Sequence, residues 1–189
     1  MYSADVNKII PFSSVDGPGN RTAIFLQGCN FNCKYCHNPE TRNLCINCMD
    51  CVPTCPTAAL SNKDGKVAFA PQKCIACDTC IKVCRHGATP RIVKMTSKET
   101  FDKICENVPF IRGITFSGGE CSLYPDFMRE VFTLCKQAGL STMIDSNGSI
   151  DLRNFDDLLE VCDGVMLDIK AYDYNEHIKV TDVGNDIVL

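Results

Sequence analysis

Cys29, Cys33 and Cys36 form a C-x3-C-x2-C run directly after an apolar stretch at residues 22–27. Three thiolates at this spacing, on a loop leaving a strand, suit three irons of a [4Fe–4S] cluster and leave the fourth iron without a protein ligand. An open iron is a place for chemistry. The same residues also fit a partial zinc site, or a four-thiolate site completed from elsewhere in the chain. Two longer runs follow. Cys45, Cys48, Cys51 and Cys55, with Pro56 after them, read C-x2-C-x2-C-x3-C, and Cys74, Cys77, Cys80 and Cys84 repeat that spacing 29 positions further on. This is an internal duplication. Zinc modules also use paired C-x2-C, but with longer gaps between pairs, and a triple C-x2-C-x2-C occurring twice is poorly explained by tetrahedral zinc. Cys105, Cys121, Cys135 and Cys162 sit in apolar or helical contexts and read as small core residues.

The chain has 189 residues, of which 45% are hydrophobic and 22% charged, as expected of one globular domain of modest size or of one domain that carries an insertion. A formal net charge of −4 offers no basic footprint for a phosphate backbone, which argues against nucleic acid as a partner. No apolar run approaches the ~20 residues that span a bilayer, so no membrane association is expected. Eleven of the fifteen cysteines fall in the three clusters, which a reducing compartment permits and an oxidising one would ruin. The reading is a cytoplasmic protein in an anaerobic setting.

Around the cysteine-rich segment, short apolar runs alternate with helical stretches. Strands are predicted at 22–27, 113–117, 141–145 and 164–170, and helices at 97–107, 125–137 and 154–161, with Thr96 and Ser97 as cap candidates and Gly139 as a stop. Strand–helix alternation implies an α/β fold with an open parallel sheet. In such sheets functional groups gather beyond the C-terminal strand ends. Cys29 follows the first strand, Gly118-Gly119-Glu120 the second and Asp145-Ser146-Asn147-Gly148 the third, while Asp168 and Lys170 close the fourth. Singly, a Gly-Gly pair or an Asn-Gly is an ordinary turn and a strand-end Asp is often solvated; together on one rim they are not ordinary.

The C-x3-C-x2-C run, with Tyr35 just before its third Cys, resembles the signature of the radical S-adenosylmethionine (SAM) superfamily. The duplicated run resembles the bacterial two-cluster ferredoxin module. Further matches are Val15-Asp16-Gly17-Pro18-Gly19, Gln27-Gly28-Cys29, Tyr35-Cys36-His37-Asn38-Pro39, Ser117-Gly118-Gly119-Glu120, Asp145-Ser146-Asn147-Gly148 and Val165-Met166-Leu167-Asp168-Ile169-Lys170. In order and spacing they resemble the glycyl radical enzyme activating enzymes, most of all the YjjW family of these activases.

The resemblance implies a partial (βα) barrel of radical SAM type, at 1–40 and 93–189, with an inserted α+β ferredoxin-like domain at 41–92. It implies three [4Fe–4S] clusters. Cys29, Cys33 and Cys36 would hold the catalytic one; Cys45, Cys48, Cys51 and Cys84 would hold the second, and Cys74, Cys77, Cys80 and Cys55 the third, each run's fourth Cys serving the other cluster. Arg85 stands where a Pro would follow Cys84, and would place a positive charge there. Gly118, Gly119 and Glu120 would bind the amino end of SAM through backbone groups, and Tyr35 would lie near adenine. Asp145, Ser146, Met166 and Asp168 would arrange a monovalent cation against the SAM carboxylate, with Asn147 and Lys170 as further site residues. Asp16 would contact the partner's glycine loop, with Ile10-Pro11-Phe12 as a guide or as ordinary packing, and His37 would be either a site residue or a surface histidine. The implied reaction is reductive SAM cleavage to a 5′-deoxyadenosyl radical that takes a hydrogen atom from a glycine Cα of a glycyl radical enzyme, with a flavodoxin or ferredoxin type reductant. A radical SAM enzyme acting on a small molecule and a non-catalytic electron carrier are the other readings. Family members continue through further strand–helix units beyond the point where this chain stops, so the frame is expected to be a C-terminally incomplete fragment, or a short form completed by another chain.

Overall fold

The computed structural model describes residues 1–189. Its frame is a six-stranded sheet in the order β5-β1-β2-β6-β7-β8. The strands are β1 (Ser3–Ser13), β2 (Arg21–Leu26), β5 (Val93–Thr96), β6 (Gly113–Gly118), β7 (Ser141–Ser146) and β8 (Gly164–Leu167). β2, β6, β7 and β8 are parallel, as the strand–helix alternation requires. β1 and β5 add an antiparallel edge that the sequence pattern did not reveal. The pairing of β1 with β2 shifts register between Val6 and Lys8 and again between Ile10 and Ser13, and these irregularities break the period-two alternation that identifies a strand.

Helices α2 (Ser97–Cys105), α3 (Pro125–Gln137) and α4 (Asp156–Leu159) pack on the sheet. α2 starts with a capping box in which the Thr96 side chain accepts from the Glu99 N–H and Glu99 reaches back to the Thr96 N–H. α3 starts at Pro125, whose missing N–H is harmless there, and ends where Gly139 takes φ +75°. Phe127, Met128, Val131, Phe132 and Cys135 recur at helical spacing on its inner face and are buried against Ile24, Leu26, Ile114, Phe116 and Ile144 of the sheet. Phe116 is the centre of this layer, with ring centroids 5.7 Å from Phe127 and 5.4 Å from Phe132. Cys121 and Cys135 belong to this core, as expected of them, and Cys162 packs against it; Cys105 instead lies exposed on α2. Two predicted elements are shorter than expected: α4 is a single turn, and β8 stops at Leu167, so Asp168 and Lys170 lie beyond the strand end.

Arg21, at the start of β2, is fully buried without a carboxylate partner. It donates to Thr115 Oγ1 at 2.8 Å, Ile114 O at 2.6 Å, Ser141 O at 3.0 Å, Ser141 Oγ at 2.9 Å and Pro18 O at 3.1 Å. Burial lowers its pKa, an effect opposed by the charge of Asp163. These bonds tie three parallel strands to the Asp16-Gly17-Pro18-Gly19 loop, which the Thr115 hydroxyl also grips through Asp16 O at 2.6 Å.

Residues between the first and second parts of the frame form a small unit of their own. It contains the hairpin β3 (Leu60–Lys63) with β4 (Lys66–Phe69) and the short helix α1 (Thr79–Lys82) around Cys51, Leu60 and Cys80. The internal duplication extends to the backbone. Asn47 and Met49 take left-handed φ of 59° and 68°, and their counterparts 29 positions on, Ala76 and Asp78, take 53° and 59°. Ala58 and Gly87 form a third such pair at 50° and 58°. Left-handed backbone at a non-glycine residue is disfavoured and persists where the surroundings over-determine it, often at a functional site.

Arg21→Met removes the five donated bonds and leaves buried acceptors unpaired. It is expected to destabilise the fold by about 3 kcal/mol, read as a lowered midpoint in anaerobic urea unfolding followed by circular dichroism.

Candidate functional site

The C-terminal ends of the parallel strands open onto a cavity of about 340 Å³. Its walls hold Cys29, Cys33 and Cys36, Gly118 and Gly119, Asp145, Ser146 and Asn147, and Asp168 and Lys170, together with Asp16 and His37. Strand alternation explains the gathering: Ile24, Phe116 and Ile144 point into the helix-covered core, so Phe25, Ser117 and Asp145 face the other side and line the cavity. Ser117 donates to Asp145 Oδ2 at 2.8 Å.

Backbone approach builds the rim. The Gly119 N–H donates to Leu26 O at 3.0 Å and the Glu120 N–H to Gly28 O at 2.8 Å; Gly28 and Cys29 donate in turn to Thr41 O at 2.8 Å and Arg42 O at 2.9 Å. A Cβ at Gly119 would overlap the Gly28 carbonyl, and one at Gly118, where φ is +121°, would overlap the Leu26 backbone. Glycine is therefore required at both positions by the closeness of the neighbouring chain.

Glu120 lies beneath the rim rather than in the cavity wall. Its buried carboxylate accepts from the Ser122 N–H at 2.9 Å, Ser122 Oγ at 2.6 Å, Ser146 Oγ at 2.9 Å and the Asn147 N–H at 2.8 Å. It clamps the β6 and β7 rim segments together. Asn147 in turn directs its Nδ2 to Cys29 Sγ at 3.7 Å and to Asn30 Oδ1 at 3.3 Å. Tyr35 is also outside the cavity wall, exposed, with its hydroxyl donating to Lys170 O at 3.0 Å, and Met166 is likewise not part of the wall.

Asn38, part of the matched Tyr35-Cys36-His37-Asn38-Pro39 run, lines the cavity together with Phe25 and Lys8, which the sequence pattern did not single out; Lys8 lies on the bulged β1. Its Nζ sits 4.4 Å above the Phe25 ring and 3.2 Å from Asn38 Oδ1. A second omission is α5 (Tyr174–Thr181), whose last carbonyls, of Val180 and Thr181, accept from the Lys34 and Asn32 N–H groups, each at 2.9 Å. α5 thus props the cysteine loop from behind. His177 on this helix is fully buried, edge-on to Phe31 at 5.3 Å, with Nδ1 2.7 Å from Val183 O.

Burial and crowded carboxylates dominate the electrostatics of the site. Burial pushes the Cys29 thiol up to about 11, a thiolate being poorly solvated there, with the Glu120 charge and the other two cysteines adding to the rise. Burial likewise raises Cys33, although Lys170 opposes it. Asp145 is raised by burial against the Ser117 hydrogen bond, and the carboxylates of Asp168, Asp16 and Glu120 add to the rise. Burial pulls Lys170 down, but its bond to Asp168 outweighs this and its pKa is raised. The three thiols surround a space rather than meeting at an ion-sized point, and no trio of His, Cys, Asp or Glu does so anywhere in the chain. Three soft donors spread around a cavity, with an amide directed at one of them, fit a multi-iron group.

The unit between the two parts of the frame has two small cavities. Cys45, Cys48, Cys51 and Cys84 line the first, and Cys55, Cys74, Cys77 and Cys80 the second. Each therefore takes three thiols from one run and one from the other. Backbone N–H groups point at sulfur in the second cavity, from Ala59 to Cys55 at 3.3 Å and from Ala76 to Cys74 at 3.4 Å. Arg85 does not stand as a free charge; it pairs with Asp50 at 2.8 Å.

The chain belongs to the radical SAM superfamily, whose family profile matches residues 23–187. It is 32% identical over 202 residues to the indoleacetate decarboxylase activating enzyme of Tractidigestivibacter scatoligenes, covering 94% of this chain and 64% of that protein. It is 29% identical over 198 residues to the 4-hydroxyphenylacetate decarboxylase activating enzyme of Clostridium scatologenes, with the same two coverages. The chain thus spans about 64% of the length of these curated relatives. Among solved structures, QueE from Escherichia coli shares the fold, with a TM-score of 0.52 at 16% identity over 90% of this chain and 61% of that one.

Two outcomes follow from this geometry. Gly119→Ala forces the rim loops apart and is expected to destabilise the protein by about 2 kcal/mol, seen in anaerobic urea unfolding. Because the Cys29 thiol lies near 11, iron ligation displaces protons from thiols that are protonated at neutral pH. Iron loading in weakly buffered solution is expected to acidify it, and loading at pH 6.5 to fall below that at pH 8.5; a yield independent of pH is incompatible with this account.

Proposed function

We propose that the chain is a radical SAM activase that installs a radical on a glycine of a partner glycyl radical enzyme. The observation that carries this reading is the single cavity that joins Cys29, Cys33 and Cys36 to Gly118, Gly119, Asp145, Ser146, Asn147, Asp168 and Lys170. Family membership supports the cofactors, and the relatives named as activating enzymes support the reaction and the partner.

In this reading Cys29, Cys33 and Cys36 hold a [4Fe–4S] cluster with one open iron. When bound, the cluster supplies one electron to SAM, whose cleavage yields methionine and a 5′-deoxyadenosyl radical that removes hydrogen from the partner's glycine Cα. The residues bind and orient. Gly118 and Gly119 let the backbone approach the amino end of SAM, while Glu120 acts beneath as a positioning residue that holds the β6 and β7 segments in register. Asn147 directs its amide at Cys29 and holds the thiolate in place. Asp145, Ser146 and Asp168 are the oxygen donors for a monovalent cation, which would relieve the carboxylate crowding that raises Asp145. Lys170 is anchored by Asp168, and Tyr35 closes the side of the site through Lys170 O. The Asp16 loop, pinned by Arg21 and Thr115, borders the cavity where a glycine-bearing loop would enter and exclude water.

Residues 41–92 form the inserted two-cluster unit. Its second centre is held by Cys45, Cys48, Cys51 and Cys84, and its third by Cys55, Cys74, Cys77 and Cys80, with a flavodoxin or ferredoxin type protein as reductant. No helix is long and apolar enough to cross a membrane, and a reducing cytoplasm suits eleven thiolate ligands.

Anaerobic reconstitution is expected to load about twelve irons per chain, with a dithionite-reduced EPR signal that changes on adding SAM and 5′-deoxyadenosine formed. Cys36→Ala should retain about eight irons and lose the SAM response. A wild-type protein with no SAM response overturns the reading.

A further inference from the structure

Charge is divided unevenly along this chain. Residues 41–92 carry seven Lys and Arg against three Asp, a net of +4 with neutral thiols, which leaves the rest of the chain at −8 within the total of −4; two loaded four-thiolate centres add about two negative charges each and bring the segment to about zero, still well above the frame. Two of the three acids are already paired, Asp50 with Arg85 and Asp78 with Arg91. Lys63, Lys66, Lys73 and Lys82 are exposed and have no acidic partner within bonding distance. Lys73 immediately precedes Cys74, and Lys82 ends the helix that carries Cys80. Between them lies an exposed Ile75, 64% accessible, which with the exposed Cys77 helps to line the second cavity. An exposed apolar side chain with unpaired lysines close to it along the chain is the kind of surface on which a transient protein partner docks.

The two cavities of the insert differ in their route to the catalytic site. The first is reached from the Cys29 loop through one hydrogen bond and three residues: the Cys29 N–H donates to Arg42 O, and Asn43 and Leu44 lead directly to Cys45. Leu44 also packs over Gly28, and Arg42 Nη1 reaches Cys33 O at 3.5 Å. The second cavity is the one flanked by Lys73 and Lys82.

We propose that the face around Lys73, Ile75 and Lys82 is the docking surface for an acidic one-electron carrier protein, and that electrons enter at the Cys55, Cys74, Cys77 and Cys80 site and leave toward Cys29 through the Cys45 side. This inference rests on the activase reading and adds the port to it. The transfer is one electron: the carrier is oxidised by one, the metal centre of the second cavity is reduced by one, and no bond or proton changes hands. With both centres loaded the insert is about neutral against an anionic frame, and its exposed lysines orient an acidic carrier before contact, turning the frame away and the insert toward it.

The test mixes a low-potential flavodoxin hydroquinone anaerobically with the iron-loaded protein in a stopped-flow instrument and follows flavin oxidation. The double reversal Lys73→Glu, Lys82→Glu is expected to lower the second-order rate constant about ten-fold or more and to flatten its dependence on salt. The reversal Lys98→Glu, Lys103→Glu on the frame helix α2 serves as control and should change the rate less than about two-fold. Equal slowing by both pairs, or no slowing by the first, overturns the proposal. Iron content and dithionite-driven SAM cleavage are measured on the same samples. Unchanged values confine the defect to the port, whereas absent SAM cleavage in the wild type condemns the activase reading and leaves the flavin kinetics to judge the docking surface.

Discussion

The close approach of main chain to main chain at Gly119 and Gly28 is the constraint on which the rim depends. Because Gly119 has no side chain to strike the Gly28 carbonyl, the β6 loop can donate to Leu26 and Gly28 while Gly28 and Cys29 donate to Thr41 and Arg42. Four segments are laid side by side in this way: the end of β2, the β6 loop, the cysteine loop and the return toward the insert. Glu120 extends the same clamp to β7 through Ser146 and Asn147, and Asn147 reaches Cys29. A carboxylate with four donors is a rigid spacer, since a displaced donor would leave it unsatisfied in a buried place. The thiols are thus positioned by backbone and by one buried acid, and Cys29 Sγ also accepts from the Phe31 N–H at 3.4 Å.

The insert works by a different constraint. Each half repeats the same left-handed backbone positions, Asn47 with Ala76, Met49 with Asp78 and Ala58 with Gly87. These conformations turn the chain sharply enough for three thiols of one run to face one cavity, while the fourth crosses to the other. The two halves become interdependent: Cys84 completes the cavity of the first run and Cys55 that of the second. The neck to the frame is short and polar, with Gln27 donating to Glu40 O and Asn43 O while the Asn43 side chain holds His86 O. Such a neck fixes the insert against the cysteine loop instead of leaving it on a tether.

Much of this was legible in the residues. The 29-residue offset announced a duplication, the clustered cysteines line three cavities, and the runs at 22–27, 113–117 and 141–145 fell on real parallel strands: β2 and most of β6 are buried on both faces, while β7 alternates, with Thr142, Ile144 and Ser146 buried. The rim motifs followed, since side chains beyond parallel strand ends are bound to converge. Other parts were not legible. The antiparallel edge was hidden by bulges in β1, and with it Lys8 at the cavity wall. α5 has only a weak apolar face, so its role in propping the cysteine loop is visible only once Asn32 and Lys34 are seen donating to its last carbonyls.

The deepest division lies between residue type and residue direction. Sequence alone determined that Cys29, Gly119, Glu120, Asp145 and Asp168 belong to one rim, because covalent order and strand parity place them there. Only the tertiary structure decided that Glu120 turns beneath the rim, that Tyr35 stays outside the cavity wall, and that Arg85 is neutralised by Asp50. Side-chain direction depends on which donors and charges lie within a few ångströms. Those neighbours come from segments distant in the chain, brought together only by folding.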